Sequence, residues 1–138
     1  MLREIRKMWR SIYVIFLVGL SVSAYSAEVR LTTQEELAKL YKEDQDDRKS
    51  AGSLPDWEAI GARDEQRELR VKELLAAGPL GDGAAYYHAA MVLQHAATPD
   101  DYLENSRLCV IAISKGERMA KWLAAASLDR FLMRAHCT

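Results

Sequence analysis

The chain has 138 residues, with 19 Lys and Arg against 20 Asp and Glu, enough for one compact domain with a modest core. Residues 1–24 hold four of the basic groups and one of the acidic, so without them 15 basic residues face 19 acidic ones, a net charge of −4. A mildly acidic domain with no basic patch excludes nucleic acid as a partner and offers no grip for anionic lipid.

The first element is a leader. Arg3, Arg6, Lys7 and Arg10 precede the apolar run Ile12–Leu20, and Ser21, Val22, Ser23 and Ala24 follow it. Basic, apolar, then small is the order of a secretory signal peptide, with cleavage expected after Ala24 and Ser26 or Ala27 as alternatives. The competing reading is an uncleaved N-terminal membrane anchor, but the run is shorter than the ~20 residues that usually span a bilayer. The expected product is a periplasmic or secreted protein. It meets the membrane only through residues 1–24 during export, and residues 28–138 form a single helical domain.

Everything after the leader reads as helix and short turn. Thr33 and Glu36 form a predicted capping box, opening a helix to about Lys49. Ala51-Gly52-Ser53-Leu54-Pro55 breaks it. A highly charged second helix starts near Pro55 or Ala62, with Gly61 as a potential interruption, and stops at Gly78-Pro79. A third helix covers Gly83 to Ala96. Thr98 caps a fourth, with Pro99 in its first turn, running to Ser114. Lys115-Gly116 turns the chain into a fifth, Glu117 to about Ala135. The fold class is all-α, a small bundle of about five helices. The alanine-rich last three, joined by tight turns, suggest repeat-like antiparallel hairpins reminiscent of tetratricopeptide or Sel1-like units. No fixed repeat period accompanies them.

An exported chain can hold a disulfide, and Cys109 and Cys137 are available. Cys109 lies before the Gly116 turn and Cys137 far beyond it. In an antiparallel hairpin the offset is roughly 20 Å, out of bonding reach. Cys109 shares a face with Tyr102, Ser106 and Ile113 and reads as a buried thiol.

The informative residues are polar groups inside apolar stripes. Leu37, Leu40 and Tyr41 define a helical stripe that Asp44 and Arg48 continue. Asp129 sits among Trp122, Ala125, Leu132 and Met133, and aspartate is a poor mid-helix residue. Gln94 and His95 close the third helix. Two readings stand side by side. The charged run Asp44-Gln45-Asp46-Asp47-Arg48 is either a solvated face or an inward cluster, for a buried charge needs a partner. In the inward reading Arg48 complements Asp129, and Arg130 complements Asp44 or Asp47. The cluster then either fixes helix register or serves a ligand. His95 is either a cap favoured by the helix dipole or a general base held by Asp129. His88 and His95 are too far apart for one metal ion, and no phosphate loop, paired CxxC or nucleophile motif is present, so no metal or cofactor is expected. Tyr86, Tyr87 and Trp122 read as core.

Asp44-Gln45-x-x-Arg48, then Gln94-His95, then Gly116 ahead of an alanine-rich helix with Asp129-Arg130, together resemble an uncharacterised bacterial helical family of unknown function. The likeness covers about Glu36 to Ala135. Its members carry a DQxxR element, a QH pair usually followed by Gly, a late DR pair and a GTQ-containing tail. Here Ala96 replaces that Gly, and the sequence ends at His136-Cys137-Thr138 without the tail, which would make the domain truncated at its C-terminus. The resemblance singles out Asp44, Gln45, Arg48, Gln94, His95, Asp129 and Arg130 and implies no activity. The expected function is a binding or interaction module for a small polar ligand or a protein partner, with Asp44, Gln45, Arg48, Gln94 and Arg130 as ligand contacts. The alternative is a hydrolase with His95 as general base and Asp129 orienting it.

Overall fold

The structure is a computed structural model and describes residues 31–49, 55–95 and 97–135. The leader, the break at 50–54, Ala96 and Cys137 lie outside the described residues. Five helices follow one another: α1 Thr33–Asp47, α2 Trp57–Ala77, α3 Gly83–Leu93, α4 Pro99–Ser114 and α5 Ala120–Ala135. There is no strand among the described residues. The all-α bundle expected from periodicity is present.

Local chemistry sets the helix ends. Thr32 caps α1: its hydroxyl accepts from Glu35 N at 3.3 Å, and Glu35 Oε2 accepts from Thr32 N at 2.8 Å. The capping box therefore sits one residue before the predicted Thr33–Glu36 pair. Adjacent Thr-Thr and Glu-Glu pairs make the two registers indistinguishable in sequence. Asp56, Asp82 and Thr98 cap α2, α3 and α4 through side chains that accept from the N–H three residues on. Gly61 does not interrupt α2. Gly116 turns α4 towards α5 at φ 93, a left-handed conformation that suits glycine.

Cross-contacts fix the topology. Arg70 of α2 meets Glu36 of α1, while Arg63 meets Asp47, so α1 and α2 are antiparallel. Asn105 Nδ2 donates to Ala90 O at 2.8 Å, pairing α3 with α4, and Ser106 Oγ donates to Ala124 O, pairing α4 with α5. Tyr41 stacks on His88 at 4.7 Å, so α1 lies along α3. The α3 helix touches all four others. Its Ala85, Ala89 and Ala90 allow that close approach, packing with Leu37, Val71, Leu80, Leu93, Leu108, Cys109 and Leu123 in one core. Gly83 adds a second close approach: a Cβ there would lie 3.0 Å from both Ala112 O and Glu117 Cβ.

Cys109 is fully buried, and burial pushes its thiol up to about 12. Tyr86 is buried and Tyr87 partly so. Trp122 is 66% exposed and is not core. The buried stripe of α5 is Ala120, Leu123 and Ser127, whose small side chains let the helix close onto its neighbours. The bulkier stripe of Trp122, Leu132 and Met133 faces out.

Candidate functional site

The polar seam lies between α1 and α2. Asp44 is fully buried on the Leu37 face of α1. Its Oδ1 accepts from Arg48 Nη1 at 2.8 Å, and its Oδ2 accepts from Gln45 Nε2 at 2.7 Å. His95 Nε2, from the turn after α3, stands 3.4 Å from the same Oδ1. Arg48 then reaches across to α2, where its Nη2 donates to Asp64 Oδ2 at 2.6 Å. Asp64 Oδ1 accepts from Arg67 Nη2 at 2.7 Å. That same nitrogen donates to Asp47 Oδ2 at 2.8 Å, which also accepts from Arg63 Nε at 2.8 Å.

The seam is thus a chain of alternating charge: Asp44, Arg48, Asp64, Arg67, Asp47, Arg63. Positive and negative groups balance, which is how so much charge can leave water. The titration directions follow. Burial would raise the Asp64 carboxyl, but hydrogen bonds from Arg67 and Arg48 outweigh it and hold it below the usual carboxylate range. The Arg63 hydrogen bond, joined by Arg67 and opposed by burial, lowers Asp47. Burial opposes the charge on Arg67, yet Asp64 and Asp47 raise its pKa.

Of the sequence-predicted residues, the structure brings Asp44, Gln45, Arg48 and His95 together. Gln94 caps the end of α3, and its side-chain amide donates to the Met91 sulfur at 3.8 Å. Asp129 is exposed on α5 and forms no ion pair among the described residues. The expected Arg48–Asp129 pairing is therefore replaced by Arg48 with Asp44 and Asp64, and the carboxylate beside His95 is Asp44. Arg130 pairs with neither Asp44 nor Asp47. It is partly buried, and its Nη1 lies without a hydrogen-bond partner, as does Ser127 Oγ one turn away. The misplacement has one cause: α5 carries two stripes, and the smaller one is buried.

Asp64, Arg67 and Arg63 were missed in sequence because α2 is charged almost throughout. A signal was present. Ile60, Asp64, Arg67, Val71 and Leu74 follow each other at helical spacing, with polar groups inside an apolar stripe as on α1. No protein-family model, curated protein or solved structure matches this chain. Against the seam opens a cleft of about 240 Å³ lined by Leu40, Glu43, Arg63, Gln66 and Arg67. Arg67 is 6% exposed, and its Nε has no hydrogen-bond partner. No group of His, Cys, Asp and Glu able to hold a metal occurs among the described residues, and none of their helices is long and apolar enough to cross a membrane.

Proposed function

We propose that this chain is an exported helical binding module whose ligand, or a short stretch of a protein partner, sits against the α1–α2 seam. The supporting observation is that the buried charge network ends in a cleft instead of closing on itself. Arg67 lines the cleft with its Nε buried behind the wall, and the more exposed Arg63 and Gln66 stand beside it at the surface. Leu40 supplies an apolar patch and Glu43 an acceptor. The lining surface is mostly apolar, so it suits a short apolar group whose carboxylate or amide reaches Arg63 at the edge, since guanidinium donors favour planar acceptors. The ligand contacts of this reading shift from Arg48 and Arg130 towards Arg63, Gln66 and Arg67. Asp64 and Asp47 hold Arg67, and Asp44, Gln45, Arg48 and His95 stand behind them, joined through the Arg48–Asp64 pair.

A thermal-shift screen of small carboxylates, amino acids and short peptides tests the proposal. A hit should raise the melting point of the native sequence and fail to raise that of Arg63→Ala. Arg63 is 49% exposed at its side chain, so its removal should leave the fold intact. A hit that stabilises Arg63→Ala and Gln66→Ala equally well would place binding elsewhere.

The second reading, a hydrolase with His95 as general base, draws on the 3.4 Å approach of His95 to Asp44. It puts Asp44 in the orienting role first given to Asp129. Asp44 is already engaged by Arg48 and Gln45, and no hydroxyl or thiol is hydrogen-bonded to His95 among the described residues, so water would be the nucleophile. Membership of the DQxxR/QH/DR helical family and tetratricopeptide-like packing of the last three helices belong to the same proposal. So do cleavage after Ala24 and a periplasmic or secreted location, which amino-terminal sequencing of the purified protein would test.

A further inference from the structure

Two charged side chains of opposite sign frame the cleft beside the seam, one from each helix. Arg63 of α2 spends its Nε on Asp47 at 2.8 Å, and its side chain is 49% exposed, so the outer edge of the guanidinium faces solvent. Glu43 of α1 is 48% exposed, and Lys39 stands 3.7 Å from it, beyond the length of a good hydrogen bond. Leu40, packed on the core, and the stem of Arg67 give the cleft its apolar surface. Register sets the spacing. Glu43 lies one helical turn before Asp47, about 6 Å along α1 from the carboxylate that holds Arg63.

We propose that the cleft takes a free α-amino acid with an aliphatic side chain, its carboxylate on Arg63, its ammonium on Glu43 and its side chain against Leu40. This rests on the reading that the α1–α2 cleft is the binding site. Charge selects the zwitterion. A plain carboxylate at Arg63 would meet two acidic neighbours, Glu43 and Asp47, whereas an ammonium on the same ligand turns the Glu43 repulsion into attraction. An amine without a carboxylate would gain nothing from Arg63. The spacing selects the α-amino acid: a gap of about one helical turn suits charges borne on one carbon better than charges at the two ends of a long chain.

Volume and exposure set the size of the ligand and the strength of its contacts. At about 240 Å³ the cleft lies below the roughly 300–1,000 Å³ of sites for drug-sized molecules, and an amino acid the size of leucine is in scale with it. Arg63 and Glu43 are both half exposed, where one ion pair changes affinity by at most about fivefold.

NMR titration of the purified, nitrogen-15-labelled protein is the test, with leucine, leucinamide and 4-methylpentanoate as probes. Leucine should shift the amide signals around Leu40, Glu43 and Arg63, and should bind about three- to fivefold more tightly than either probe that lacks one charge. Glu43→Gln should bring leucine down to the level of 4-methylpentanoate, and Arg63→Ala should weaken both. If 4-methylpentanoate binds the native protein as tightly as leucine and loses affinity in Arg63→Ala, the zwitterion is overturned and the cleft remains the site. Leucine binding that Glu43→Gln leaves unchanged overturns the zwitterion as well. Binding indifferent to both variants, or shifts confined to another part of the chain, overturns the cleft along with it. No shift with any of the three probes in large excess overturns the amino acid as ligand, and the wider screen then decides the cleft.

Discussion

Replacing Asp64 by Asn keeps the shape of the side chain and removes its charge. In the native protein Asp64 receives Arg48 at 2.6 Å and Arg67 at 2.7 Å, with its own side chain 18% exposed. The variant leaves Arg67 buried with Asp47 as its remaining carboxylate, and Arg48 with Asp44. Breaking a fully buried pair costs about 3–5 kcal/mol. The residual exposure of Asp64 and the surviving partners reduce this to about 2–3 kcal/mol. For a domain of this size that is a fall of roughly 10 °C in melting temperature. Far-UV circular dichroism melts would measure it. Acid gives an independent check on sign. The folded Asp64 carboxyl is lowered from its ordinary value of 3.8, so its contribution is complete above that value and is lost as pH falls through the lower folded one. The gap between native and variant melting points should hold from neutral pH to about 4 and narrow in stronger acid. A gap of less than about 2 °C at neutral pH, or one that acid does not narrow, would refute the account of the seam as a coupled network.

Asp44→Asn should destabilise the fold at least as much as Asp64→Asn, because Asp44 is fully buried, while Asp129→Asn should leave the melting point within about a degree. Comparing the two melts checks which aspartate belongs to the interior. Gly83→Ala should cost about 1–3 kcal/mol, since the new Cβ would meet Ala112 O and Glu117 Cβ at 3.0 Å, and chemical denaturation would read it. In a Cys137→Ser background, Cys109 should resist a thiol reagent at neutral pH until the protein unfolds, because burial raises its pKa to about 12. Prompt labelling of the native protein would contradict that burial.

How much of this was legible in the sequence differs from helix to helix. The Gly78-Pro79 stop and the Thr98-Pro99 cap place the end of α2 and the start of α4, because they act on their own backbone neighbours. The caps Asp56 and Asp82 do not stand out in the sequence, which leaves the start of α2 between Pro55 and Ala62. Asp44 was legible because α1 has a single apolar stripe for it to interrupt. Asp64 and Arg67 obey the same rule, but on a helix where nearly every residue is charged the inward pair does not stand out. The failure at α5 is different in kind. Its outer stripe is bulkier and more apolar, yet α4 and α3 accept the stripe of Ala120, Leu123 and Ser127 that fits closely. Steric fit between helices decides that choice, and no single-helix pattern contains it. The pairing of Arg48 with α2 likewise depends on which helix lies beside α1, a matter of topology.

The position of the tryptophans has an optical consequence. Trp57 and Trp122 are 65% and 66% exposed. In a chain cleaved after Ala24 they are the only indoles, Trp9 having left with the leader. Their emission in the folded monomer should already resemble that of indole in water, leaving denaturation nearly silent to intrinsic fluorescence. Any partner that covers the outer side of α5 would do the opposite, drawing Trp122 out of water and shifting the spectrum to the blue. The intrinsic emission of this protein would then report what meets that side instead of whether the chain is folded.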